Sequence, residues 1–134
     1  MIPSIHIVLG LLFSLFLYPL FGFYVIIIFL SSFLIDVDHV LWYFIKYKKW
    51  DNLKEIYNYY TDDEKIRDIL NVFHTIEFLI LLIVLAIFFK IFRFVLIGVG
   101  FHYLLDIIYM VSHKKYGRRA ISLINWLKRN YKRL

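Results

Sequence analysis

Apolar residues run almost unbroken from Ile2 to Ile35, with no formally charged side chain among them unless His6 is protonated. A single helix over this stretch would be about 51 Å long, against roughly 30 Å of bilayer hydrocarbon. The breaker Tyr18-Pro19-Leu20-Phe21-Gly22 near its middle predicts a hairpin instead, with one span over residues 4 to 18 and a second starting near 23. The second must run past Asp36 and Asp38 to residue 45 to be long enough to cross, which places these acids inside the bilayer.

Residues 46 to 70 are polar and charged. Within them Thr61-Asp62-Asp63-Glu64 reads as a capping box, followed at helical spacing by Ile66, Ile69, Leu70 and Phe73. The pattern predicts a helix from about 62 that runs on into a third span over 72 to 90, and a fourth span over 94 to 112. Beyond Gly117, apolar Ala120, Ile124, Leu127, Tyr131 and Leu134 alternate with basic residues, as in an amphipathic helix lying on anionic headgroups over 118 to 134. Trp42, Tyr43, Trp50, Tyr109 and Trp126 suit an interfacial aromatic belt. The expected fold is all-α: one membrane domain over 1 to 134, a four-span bundle with cytoplasmic amphipathic helices.

Composition agrees with lipid as the solvent. In 134 residues, 62% are hydrophobic and 21% aromatic, more apolar surface than so small a soluble domain can bury. No basic n-region or small-residue cleavage site marks the start as a secretory signal. The net charge of +6 raises the question of nucleic acid, but its distribution answers differently. Six of the 16 Lys and Arg fall in residues 46 to 70 and eight in 114 to 134, all on one side of a four-span bundle. Positive charge on the inner side places both termini in the cytoplasm at the cell membrane, and no nucleic-acid partner is expected. The absence of cysteine excludes disulfides, thiolate metal sites and cysteine nucleophiles.

What stands out is the polar content of the spans. His6, Asp36, Asp38, His39, His74, Glu77, His102 and Asp106 all fall in apolar segments, without Lys or Arg beside them, and buried acids without basic partners need protons, water or metal ions. Counted along each helix, they reach one level in the cytoplasmic half. Asp36/His39 and His74/Glu77 are i,i+3 and His102/Asp106 is i,i+4, so each pair shares a helix face. Imidazoles with carboxylates suit Zn²⁺, Mn²⁺ or Fe²⁺, and this many donors suggests two or more ions. His113, beside Lys114-Lys115, belongs with solvated residues.

Taken in order, Ser4-Ile5-His6, Asp36-Val37-Asp38-His39, Phe73-His74-Thr75 and Phe101-His102-Tyr103-Leu104-Leu105-Asp106 resemble the motifs of the YdjM/YbcI-like membrane-bound metal-dependent hydrolases. The resemblance covers residues 4 to 106. It implies a distant relation to the zinc-dependent phospholipase C and single-strand nuclease superfamily, whose helical folds hold several zinc ions and cleave phosphate esters. One departure is Ile69, where that family often has a further His.

On this reading His6, Asp36, His39, His74, His102 and Asp106 would be metal ligands. Asp38 and Glu77 would be the catalytic carboxylates, as general base, bridging group or orienting group. The substrate would be a lipid-like phosphate ester attacked by metal-activated water. Intramembrane acids and histidines also mark ion or proton pathways, so a transport component or a non-catalytic metal-binding protein are the alternatives. No phosphate-binding glycine loop or Gly-x-Ser-x-Gly elbow is present.

Overall fold

The computed structural model describes residues 3–48, 52–61, 68–114 and 119–130. Among these the regular structure is helical, and one isolated parallel bridge, between Ile69 and Arg119, replaces any sheet. Helix α1 (Pro3–Phe21) begins on a proline, whose missing N–H costs nothing in a first turn. It ends at Gly22, where φ is +54°. Pro19 sits inside the last turn and does not stop the helix, which runs past the predicted end. A proline near a C-terminus forfeits one hydrogen bond, whereas reversal of the chain needs the positive φ that glycine supplies.

Helix α2 (Val25–Leu34) returns antiparallel to α1. Gly10 abuts Ser32, and Phe13 and Leu17 join Val25 and Ile28 in a buried cluster. The hairpin is therefore as expected, but its second arm is not one helix. Residues 35 and 36 form a tightened turn, with N–H groups of Asp36 and His39 donating to carbonyls three residues back, at 3.2 and 3.1 Å, before α3 (Val37–Tyr47) begins. The turn presents Asp36, Asp38 and His39 together.

Between α3 and the next apolar segment lies α4 (Leu53–Thr61), which the hydrophobic pattern did not predict. Its signal was present: Asn52 Oδ1 accepts the Glu55 N–H at 2.9 Å, and Ile56 and Tyr59 are buried with Tyr43 and Ile69. Lys46 Nζ donates to Tyr59 Oη at 2.9 Å, and burial pushes the Tyr60 phenol up. Of the predicted capping box only Thr61, the end of α4, lies among the described residues. The continuous helix predicted from 62 through 75 is not formed over residues 68 to 75. Ile69 pairs with Arg119, residues 72–74 make a single 3₁₀ turn, and Thr75 caps a fresh helix, α5 (Ile76–Phe88), by accepting the Phe78 N–H. Ile69, Asn71, Phe73 and His74 take bonding partners distant in sequence, so apolar spacing alone misread the segment.

Extended Phe89 separates α5 from α6 (Lys90–Ser112), and Arg93 Nε donates to the Ala86 carbonyl at 3.0 Å across the turn. Lys90 Nζ lies 4.7 Å from the Tyr24 ring centre and Tyr24 stacks on Phe94, so both tight turns share one end of the bundle. At Gly98, α6 comes so near α2 that a Cβ would strike the Ile28 carbonyl. The last helix, α7 (Leu123–Asn130), is shorter than the predicted tail helix and is docked rather than free. Trp126 is buried, meets Trp42 edge to face and donates to the Asp68 carbonyl, while Ile124 and Leu127 stay exposed.

The distribution of polarity is inverted. Ser14, Ser32, His6 and His102 are buried, while Leu12, Phe16 and Leu20 on α1, Ile87 and Phe88 on α5 and Ile108 on α6 are each more than half exposed. Two stretches, Ser4–Tyr47 and Lys90–Ser112, are long and apolar enough to cross a membrane, and the first contains both arms of the α1–α2 hairpin. Helix α5, also apolar, is shorter, and its 13 residues reach about 20 Å.

Candidate metal centre

Five segments carry the candidate ligands to one place. The first turns of α1 bring His6, the 35–36 turn brings Asp36, α3 brings Asp38 and His39, the 3₁₀ turn brings His74, and α6 brings His102 and Asp106. His6 bridges two carboxylates, with Nδ1 3.2 Å from Asp36 Oδ2 and Nε2 3.4 Å from Asp106 Oδ1. It is 2% exposed, and neither ring nitrogen has a hydrogen bond of good geometry.

The proton positions on two rings follow from their partners. His102 Nδ1 lies 2.8 Å from the Ser32 carbonyl, which can only accept, so Nδ1 carries the hydrogen. His74 Nδ1 lies 3.0 Å from Asp38 Oδ2, a carboxylate oxygen, and carries its hydrogen for the same reason. In the neutral rings both Nε2 atoms then present lone pairs, and they face each other at 3.1 Å. Asp36 Oδ1 stands 3.4 and 3.6 Å from them, and Asp106 Oδ2 3.6 and 3.7 Å. Electron-pair donors packed this way repel unless a cation is shared among them.

These separations fit a metal. Ligand atoms about 2.0 Å from a tetrahedral ion stand about 3.3 Å apart, close to the spacings found. Three overlapping sets have donor atoms within 4.8 Å of one another: His6 with Asp36 and His102, Asp36 with His39 and His74, and His74 with His102 and Asp106. Asp36, His74 and His102 each belong to two sets. The cluster can hold a metal ion, and its donors are nitrogen and oxygen without sulfur.

Asp38 occupies a different position from the ligand carboxylates. Its Oδ1 accepts from His39 Nδ1 at 2.9 Å, and its Oδ2 from His74 Nδ1 and from the Phe73 N–H at 3.0 Å. With both oxygens occupied, it is placed to orient two imidazoles rather than to reach a substrate. Glu77, the other predicted catalytic carboxylate, is not brought into the cluster. It accepts from Ser122 Oγ at 2.6 Å and from the N–H groups of Leu123 and Ile124 at 2.9 and 3.2 Å, and so caps α7. The i,i+3 relation to His74 that linked Glu77 to the site required a continuous helix, which breaks between them at Thr75.

Three residues at the site carried no sequence signal. Asn71, 2% exposed, has Nδ2 3.1 Å from His39 Nε2, while Tyr60 donates to the His39 carbonyl. Arg119 donates to Asp106 Oδ2 at 2.6 Å, contrary to the expectation that no basic side chain accompanies the acids. His113 stands apart, exposed and stacked on Tyr109. No family model, curated protein or solved structure matches the chain.

Proposed function

We propose that the chain is a membrane-embedded, metal-dependent hydrolase of phosphate esters. The observation that carries the reading is the meeting of the His74 and His102 lone pairs beside Asp36 and Asp106, behind helices whose outer faces are apolar. His6, Asp36, His74, His102 and Asp106 would hold two or more divalent ions, with His39, whose two ring nitrogens bond Asp38 and Asn71, set beside them, and zinc is the best fit to nitrogen and oxygen donors in tetrahedral spacing. The ions would supply Lewis acidity, lowering the pKa of water and neutralising phosphate oxygens. Asp38 fixes the rings of His39 and His74, and Asp36 and Asp106 balance the charge of the ions. α1, α2 with α3, α5 and α6 would be the four crossings, with both termini on the cytoplasmic side and a lipid-like substrate entering from that leaflet.

Elemental analysis of the purified protein, followed by a panel of phosphate mono- and diesters, tests the reading. Stoichiometric divalent metal and turnover that is lost on chelation and restored on metal return are expected. Protein that holds no stoichiometric metal would favour a proton relay through the facing imidazoles. Single cysteines introduced near Lys54 and Lys128 should label from the same side of the membrane, and labelling from opposite sides would overturn the topology.

A further inference from the structure

Arg119 is the one Lys or Arg among the described residues that pairs with a cluster carboxylate. It comes from neither a helix nor a loop free to swing. On one side it pairs with Ile69 in the isolated bridge, and the adjacent Ala120 N–H donates to the Ile69 carbonyl at 2.8 Å. On the other, the Ile121 carbonyl accepts the Ile76 N–H at 2.9 Å and Ser122 is bound by Glu77. The backbone is thus pinned to the segment that carries His74, and the guanidinium is held at the edge of the cluster.

Its exposure matters as much as its position. The Arg119 side chain is 24% exposed, comparable with Asp36 at 25% and His39 at 27%, while His74 and His102 are sealed. A guanidinium offers five N–H donors in a planar fork, and the bond to Asp106 Oδ2 uses one terminal nitrogen, Nη1. Asp106 Oδ2 is also one of the atoms turned towards His74 and His102 Nε2, so a cation among those nitrogens competes with Arg119 for the same oxygen. Positive charge placed beside Arg119 without a further anion would be unfavourable, and a doubly charged phosphate group would satisfy both.

We propose that Arg119 is the residue that grips the phosphate group of the substrate, exchanging its bond with Asp106 for the anionic oxygens once metal is bound. This rests on the phosphate-ester reading above and adds to it the residue that selects an anionic substrate over a neutral one. The phosphate can be free or part of a lipid headgroup, and the two sources differ in how they compete.

The test uses the full chain, metal-loaded, with inorganic phosphate titrated by calorimetry in detergent. It is repeated in nanodiscs of phosphatidylcholine with and without phosphatidic acid. Wild type should bind phosphate. Arg119→Gln should keep its metal and weaken phosphate by roughly tenfold to a hundredfold, and Arg119→Lys, which keeps the charge but loses the fork, should fall between. Competition by phosphatidic acid in the wild type, absent in Arg119→Gln, identifies a headgroup as the source, and lack of competition identifies a soluble phosphate. If both variants bind phosphate as wild type does, Arg119 only ties the C-terminal segment to α6 and the inference fails alone. The same holds if their metal content falls while phosphate affinity per loaded molecule is unchanged. Metal-loaded wild type that binds no phosphate overturns the phosphate-ester reading itself.

Discussion

The two halves of the metal centre are built differently. His6, His102 and Asp106 stand on long helices, α1 and α6, that continue well beyond the site and are packed along their length, α6 so tightly at Gly98 that only glycine fits. Asp38, His39, Asn71, His74 and Arg119 stand instead on a helix start, a 3₁₀ turn with its leading residue and an isolated bridge, held by side-chain hydrogen bonds rather than by helix packing. The helical half takes its geometry from the bundle. The irregular half must make its own, so its accuracy depends on residues that need never touch a ligand or a substrate.

The largest effect is expected in the helical half. His102→Ala removes a side chain that is 0% exposed, leaves the Ser32 carbonyl without its partner and takes a donor from two of the three ligand sets. Bound metal should be lost altogether, and unfolding in detergent should show a stability loss of about 3 kcal/mol, the sum of a buried cavity and an orphaned acceptor. Elemental analysis with a thermal melt checks both. Metal retained at full stoichiometry would mean that the site is assembled from the irregular half alone.

The same division decides what could be read in the sequence. The i,i+4 spacing of His102 and Asp106 places them on one face only if the helix is regular, and α6 is regular over that interval. The apolar run with Gly22 at its centre correctly predicts a hairpin, because reversal needs a positive φ and the flanking faces need burial against each other. Periodicity fails at residues 68 to 75, where Ile69 and Phe73 look helical yet Ile69 pairs with Arg119, and Phe73 N–H is taken by Asp38. His74 is recognisable there by its chemistry rather than by its spacing. Asn71 and Arg119 are not recognisable at all: an Asn before a capped helix and an Arg in a basic tail look like turn and surface residues until the fold brings them to the cluster.

A smaller effect is expected from Asp38 and Asn71 in the irregular half, because they orient imidazoles rather than supply a ligand atom. Asp38→Asn keeps the shape of the side chain but leaves one amide N–H₂ facing donors, since His39 Nδ1, His74 Nδ1 and the Phe73 N–H all need an acceptor. Metal affinity measured by chelator competition should fall roughly tenfold to a hundredfold without total loss. A loss as complete as that of His102→Ala would make Asp38 a ligand and erase the distinction between the halves. Asn71→Ala should cost about tenfold, because it frees only the Nε2 side of His39. An unchanged affinity would show that the bonds from Asp38 and Tyr60 suffice to hold that ring.

The smallest effect on the metal is expected from Glu77, and it sharpens the comparison by marking where the irregular half ends. Glu77 belongs to α5 but its carboxylate bonds are all to Ser122, Leu123 and Ile124, at the start of α7. The Leu123 and Ile124 N–H groups would otherwise be unsatisfied first-turn donors of the kind every helix start must pair. Glu77→Ala should therefore leave metal stoichiometry and affinity as in wild type while the amides of residues 122 to 126 exchange with deuterium roughly fivefold faster, the loss of a single cap. The effect should stop short of Arg119, because Ala120 and Ile121 keep their own backbone bonds to Ile69 and Ile76. If Glu77→Ala instead strips the metal, the docking of α7 and the geometry of the site are one cooperative unit, and the C-terminal segment belongs to the metal centre rather than to its surroundings.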